Sequence, residues 1–86
     1  MTKIKVDKEK LIDIRNSPPS LIIGKNGWEA IVDELKRRIK KHKLVKVKIS
    51  RNARILSREE IAQKLADATR SQVVEIRGYQ VIFYKR

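Results

Sequence analysis

The sequence predicts a mixed α/β fold, of the α+β kind in its sheet, with elements in the order α-β-α-β-α-β-β. Three observations carry that expectation. Helical apolar stripes alternate with short β-rich runs, and strands alternating with helices imply parallel crossover connections. The chain then closes on two β-rich runs split by Gly78, the mark of a hairpin that adds one antiparallel strand. Finally, the apolar run Leu21-Ile22-Ile23 stops abruptly at Gly24-Lys25-Asn26-Gly27, which places a tight turn between the first strand and the helix after it.

Residues 7–16 read as a short helix that Asp7 can cap, with Leu11 and Ile14 on one face. Ser17-Pro18-Pro19 ends it, because a residue before proline avoids helical backbone angles. Residues 20–23 form a short strand, apolar without alternation, as expected of a strand covered on both faces or lying centrally. Residues 28–41 form the second helix, in which Trp28, Ile31, Val32, Leu35 and Ile39 make one apolar stripe. Its acids, Glu29, Asp33 and Glu34, come early, and its bases, Lys36, Arg37, Arg38, Lys40 and Lys41, come late, the order that the helix dipole favours.

Leu44-Val45-Lys46-Val47-Lys48-Ile49 alternates with period two. Val45, Val47 and Ile49 share one face and Lys46 and Lys48 the other, so the strand is half-buried with a basic outer face. Ser50-Arg51-Asn52-Ala53-Arg54 is a polar, basic connection. Ser57 and Glu60 have capping-box spacing and start a third helix with Ile61, Ala62, Leu65, Ala66 and Thr69 inward. Arg70-Ser71 stands at its end, where a glycine is usual. Residues 72–77 and 80–86 are the last two strands, joined through Gly78-Tyr79.

The length, 86 residues, fits one domain spanning 1–86. Lys and Arg number 22 against 10 Asp and Glu, a net charge of +12, which calls for a polyanionic partner. A membrane surface would require a basic amphipathic helix with exposed apolar residues. Here the apolar residues are committed to a core, so nucleic acid is the expected partner and a membrane is not. There is no cysteine, so disulfides and thiolate metal sites are excluded, and the single histidine, His42, excludes a multi-histidine site. His42 lies in Lys40-Lys41-His42-Lys43 with no acidic partner nearby in sequence, and no carboxylates have metal-ligand spacing. No catalytic residue, metal, cofactor or small-molecule substrate is expected. No apolar run approaches the roughly 18 residues of a membrane span, and the N-terminus lacks the apolar block of a signal peptide. A cytoplasmic location is expected.

The Gly24-Lys25-Asn26-Gly27 stretch has two readings. One is a plain strand-to-helix turn, with Asn26 as N-cap and Glu29 as its capping-box partner. The other is a phosphate cradle, in which glycines let the backbone approach an anion, the helix start offers N–H groups, and Lys25 adds a full charge. The charge of the whole chain favours the second. Contacts to nucleic acid are expected from Gly24, Lys25, Asn26 and Gly27. Lys46 and Lys48 should contribute from the second strand, Arg51, Asn52 and Arg54 from the connection after it, and Arg77 and Tyr79 from the last hairpin. Trp28 reads either as a core anchor or as a platform on which a base stacks. If the first three strands are parallel, the loops leaving their C-terminal ends gather on one edge. The basic run at 36–43 then falls at the opposite end, since a helix of about 14 residues spans roughly 21 Å.

Several segments together resemble the CRM domain family (chloroplast RNA splicing and ribosome maturation). They are Ile23-Gly24-Lys25-Asn26-Gly27, the basic second helix, Leu44-Val45-Lys46-Val47-Lys48-Ile49, and Arg58-Glu59-Glu60-Ile61-Ala62. The ending Val74-Glu75-Ile76-Arg77-Gly78 and Val81-Ile82-Phe83-Tyr84-Lys85-Arg86 completes the likeness, which covers nearly the whole chain. It is greatest to small stand-alone members. The resemblance implies a two-layer, four-stranded mixed sheet with packed helices, similar to the C-terminal domain of translation initiation factor three. It also implies RNA as the partner, bound through the loop 24–27, and a role with ribosomal RNA or a precursor of the large subunit. Trp28 and Arg70 depart from the family pattern, which often has leucine and glycine there. Charge alone leaves two other readings open: a small DNA-coating chromatin-type protein, and a permanent ribosomal component.

Overall fold

The computed structural model of the protein describes residues 7–53 and 56–85. Helix α1, Lys8–Asn16, begins at Asp7, whose carboxylate accepts the Glu9 N–H at 2.9 Å. Strand β1, Leu21–Ile23, follows the prolines. A 3-10 turn at Trp28–Ile31 runs into α2, Val32–His42, and β2, Leu44–Ile49, comes next. A short 3-10 turn, Arg51–Ala53, precedes α3, Arg58–Thr69, which is capped as expected by the Ser57 hydroxyl accepting the Glu60 N–H at 3.1 Å. Strands β3, Gln72–Arg77, and β4, Gln80–Tyr84, form the closing hairpin. Gly78 has φ +60° at the first turn position, as a two-residue type II′ turn requires.

The four strands form one mixed sheet in the order β1-β2-β4-β3. β1 runs parallel to β2, and β4 runs antiparallel to both β2 and β3. β1, β2 and β3 therefore point the same way, although β4 is inserted between β2 and β3. β1 departs from the sequence expectation of a central or doubly covered strand. It lies at the edge of the sheet, with Ile23 buried and Ile22 57% exposed. Three apolar residues carry no sign of which face is left open.

The core lies between one face of the sheet and helices α2 and α3. Leu35 and Ile39 of α2 and Ile61, Ala62, Leu65 and Ala66 of α3 are buried with Val45, Val47, Ile49, Val81 and Phe83 of the sheet. Thr69 is buried too, and its hydroxyl donates to the Leu65 carbonyl at 2.7 Å, so the polar group keeps a partner.

Helix α1 covers part of the opposite face and adds a third, partial layer. Leu44 and Ile82 are buried outside the main core cluster, on the sheet face that Lys46 shares. Here the expectation of a basic outer face on β2 is corrected at Lys46, which is only 7% exposed. Its ammonium donates to the carbonyls of Arg15 at 2.8 Å and Ser17 at 2.9 Å. A helix end leaves carbonyls without intrahelical partners, and the lysine beneath supplies the donors. The Arg15 guanidinium also grips the Glu75 carboxylate on two sides, Nη2 to Oε1 at 2.6 Å and Nε to Oε2 at 2.9 Å.

Arg15 holds the Glu75 carboxyl below the ordinary carboxylate range by hydrogen bonding, against the opposing effect of burial. A carboxylate whose folded-state pKa is depressed contributes stability that is fully present above its unfolded value and lost as pH falls through the folded value. Docking of α1 should therefore weaken on acidification below the ordinary glutamate value of about 4.3. Amide chemical shifts of residues 8–16 should move in that window while those of α3 stay in place. Arg15→Ala should produce the same α1 shifts at neutral pH. Unchanged α1 shifts in that variant would mean that the pair does not hold the helix.

Both long helices end on a cation with positive φ: Lys43 at 65° after α2 and Arg70 at 55° after α3. Arg70 takes the left-handed conformation that glycine adopts freely and that costs another residue about 1 kcal/mol.

Candidate nucleic-acid interface

The parallel sense of β1, β2 and β3 sends the loops after them to one edge of the sheet, and specific bonds tie those loops together. The Ile23 carbonyl at the end of β1 accepts the Ser50 N–H at 3.0 Å and the Ser50 hydroxyl at 2.6 Å. The Ile49 N–H donates to the Tyr79 carbonyl at 2.7 Å. Arg58 Nη1 donates to the Gly78 carbonyl at 2.8 Å while its Nε pairs with Glu59 at 2.8 Å. The loop 24–27, the segment 50–53 and the hairpin turn Gly78-Tyr79 thus meet as one surface. Arg58 is a member of this surface that sequence reasoning missed. A base in the first turn of a helix runs against the dipole, and that mismatch was the available signal.

The glycine loop is closed by the Gly27 N–H donating to the Gly24 carbonyl at 3.0 Å. Gly27 has φ 85° and ψ 175°, a combination open essentially to glycine alone. Gly27, not Asn26, occupies the cap position, and no side chain caps the turn. The Asn26–Glu29 capping box of the plain-turn reading is therefore not formed. The loop leads into four residues of 3-10 helix, and the α-helix begins only at Val32. The α2 dipole is thus set back by a turn from the loop, so an anion placed there would meet Lys25 and the loop backbone before the α-helix.

The edge continues onto the uncovered strip of the second sheet face. Ile22 pairs with Lys48, Lys48 with Gln80, and Gln80 with Arg77, so these four residues form one row across the sheet. Ile22, Lys48 and Arg77 are exposed. Lys25, Asn26, Arg51 and Asn52 are exposed in their loops, with buried Ala53 anchoring the 3-10 turn, and Tyr79 is 42% exposed. Gly24 is half-buried, yet a Cβ built on it meets nothing within 4 Å. Trp28 is half-buried against the core, and the exposed Lys64 places its ammonium 6.0 Å from the ring centroid. That position fits the anchor reading of Trp28. Lys46 lies apart, under α1, and Arg54 lies outside the described residues.

The basic run of α2 falls at the other end of the molecule, as its length requires. Earlier in α2, Arg37 and Arg38 pair with Glu34 of the first turn at 2.6 and 3.2 Å. Those hydrogen bonds hold the Glu34 carboxyl below the ordinary carboxylate range, as the bond from Arg58 does for Glu59. Lys36 and Lys40 line a cleft with Arg70 and Lys85, away from the loop edge.

A family model of the CRS1/YhbY (CRM) domain matches residues 3–85. The chain belongs to the CRM domain family. A curated relative from Methanocaldococcus jannaschii, described as a "Probable RNA-binding protein", is 34% identical over 68 residues. That match covers 78% of this chain and 51% of the relative, so the CRM chain spans about half the relative's length. A solution structure of a Staphylococcus aureus protein described as a candidate RNA-binding protein is similar at a TM-score of 0.70 and 25% identity. It covers 95% of this CRM domain and 90% of the staphylococcal chain. The likeness bears out the α+β fold of three helices and a four-stranded mixed sheet. Among the described residues of this CRM domain, no three His, Cys, Asp or Glu side chains are grouped to hold a metal. No described helix is long and apolar enough to cross a membrane.

Proposed function

We propose that this CRM domain binds RNA through the convergent edge, holding phosphates with Lys25, Lys48, Arg51 and Arg77 and with the backbone of the loop 24–27. The carrying observation is that three segments distant in sequence are hydrogen-bonded into one cationic edge, through Ser50 to Ile23, Ile49 to Tyr79 and Arg58 to Gly78. The net charge of +12 and the RNA-binding descriptions of both relatives support the reading. Phosphate contacts fix position and orientation without reading sequence. Tyr79 and Ile22, exposed beside the cations, offer the apolar surface against which an unpaired base rests.

The partner in this reading is ribosomal RNA or its precursor during assembly of the large subunit, in the cytoplasm. Sedimentation of cell extracts tests it. An assembly factor travels with precursor particles, a permanent ribosomal protein with mature subunits, and a DNA-coating protein with the nucleoid. Appearance in either of the last two fractions alone would overturn the assembly role.

The edge also ranks individual cations. Arg51→Ala should weaken a short RNA hairpin about three- to tenfold, whereas Lys40→Ala and Lys41→Ala should each change it less than about twofold. Arg54→Ala is expected to behave like Arg51→Ala. Filter binding at one fixed salt concentration checks the order. A larger effect from the lysines, which have the higher local charge density, would replace the edge by a diffuse basic surface.

A further inference from the structure

The far end of the molecule carries a second cluster of positive charge that the convergent edge does not use. Lys36 and Lys40 of α2, Arg70 after α3 and Lys85 after β4 line a cleft of about 280 Å³ with Ala68 and Thr69. None of these lining residues is acidic. The four cations take part in none of the ion pairs among the described residues, which engage Arg15, Arg37, Arg38 and Arg58 instead. The Lys85 N–H donates to the Lys43 carbonyl at 2.9 Å and ties the end of the sheet to the end of α2 beside the cleft.

The backbone here is an independent sign. Among the described residues, the two non-glycine residues with positive φ are Lys43 and Arg70. Both are basic, and both belong to this end. Glycine would adopt the left-handed angles of Arg70 freely, so the arginine is kept against its own backbone preference. Helix-end electrostatics accounts for a cation in the last turn, such as Lys40. It does not account for Lys36, a turn earlier, or for Lys85, which follows a strand.

We propose that this cleft is a second phosphate-binding site, and that the chain thereby holds two RNA segments at once, one at each end. The proposal rests on the RNA-binding reading of the convergent edge. β2 runs from Leu44, next to Lys43, to Ile49, next to Ser50, so the two sites lie roughly 20 Å apart along that strand. Neighbouring phosphates of one strand do not reach that far, whereas two segments of a folded RNA do. Once one segment is held, binding of the second becomes intramolecular and gains from effective concentration.

Two short RNA hairpins, one carrying a fluorescent donor and the other an acceptor, test this with the intact protein. Energy transfer should rise to a maximum near one protein per two hairpins. It should fall again in protein excess, when each hairpin has a protein of its own. The double variant Lys40→Ala/Arg70→Gly should lose about tenfold of the transfer signal while its affinity for one hairpin stays within about threefold. Glycine suits the left-handed position, so thermal unfolding of this variant should be no earlier than that of the parent. Transfer that persists in the double variant overturns the proposal, as does its absence from the parent protein while one hairpin still binds. Failure of the parent to bind a single hairpin would instead remove the RNA-binding reading and the proposal with it.

Discussion

Gly24→Ala should leave the protein at least as stable as before and weaken RNA binding about tenfold, or roughly 1.4 kcal/mol. Nothing among the described residues demands glycine at this position. Its φ lies outside the range of +20° to +160°, and an added Cβ meets no atom within 4 Å. Alanine at such a site commonly stabilises by about 0.4–1 kcal/mol by restricting the unfolded chain. What the methyl group takes up is the space outside the loop, where a phosphate backbone would lie against main-chain atoms. Thermal unfolding and RNA affinity should thus move in opposite directions. Gly27 is a poorer probe, because its φ of 85° and ψ of 175° cost any other residue about 1–3 kcal/mol and Gly27→Val would reshape the loop first. Normal RNA binding by a stable Gly24→Ala protein would reduce the loop to a turn.

RNA affinity should fall about 250-fold when monovalent salt rises fourfold, which corresponds to a log–log slope of about −4 within an expected range of −3 to −5. Single-stranded RNA gives a slope of about −0.7 per phosphate neutralised, so this range amounts to roughly four to seven phosphates. Among the described residues, Lys25, Lys48, Arg51 and Arg77 are exposed cations on and beside the edge, and the loop backbone would add contacts to theirs. Lys25→Ala should lower the slope by about 0.7 and weaken different RNAs equally, because a phosphate contact carries no base information. Filter binding across a salt series measures both quantities. A flat response would assign the binding to stacking on Tyr79 and apolar contact at Ile22, and the electrostatic reading would fail.

The directions of the strands were legible from connectivity. A helix between two strands makes their C-terminal ends coincide, which is why the loops at 24–27, 50–53 and 78–79 gather where the sequence places them. The Ser57 cap and the inward stripe of α3 were legible too, because both are local patterns. The position of β4 between β2 and β3 was not, since a hairpin reveals its own partner and not the strand it docks against. Lys46 was placed on the correct face of β2 by its period. Its burial depends on α1, which is held there by Arg15 and Glu75, 60 positions apart in the chain. Arg58 escaped notice for a similar reason, because its bond to the Gly78 carbonyl reaches 20 residues forward. Pairings of that separation leave no periodicity behind.

The place of β4 in the sheet has a consequence for how the molecule is made. It is the last of the four strands to be synthesised, and it is the one that joins β2 to β3. As the chain emerges from a ribosome, β1 and β2 can align, but β3 has no partner strand until residues 80–84 have left the exit tunnel. Phe83, fully buried in the core cluster, arrives in that same stretch. Translation therefore delivers the keystone of the sheet after everything it must hold, and until then the inner edge of β2 stands open to chaperones and to other nascent chains.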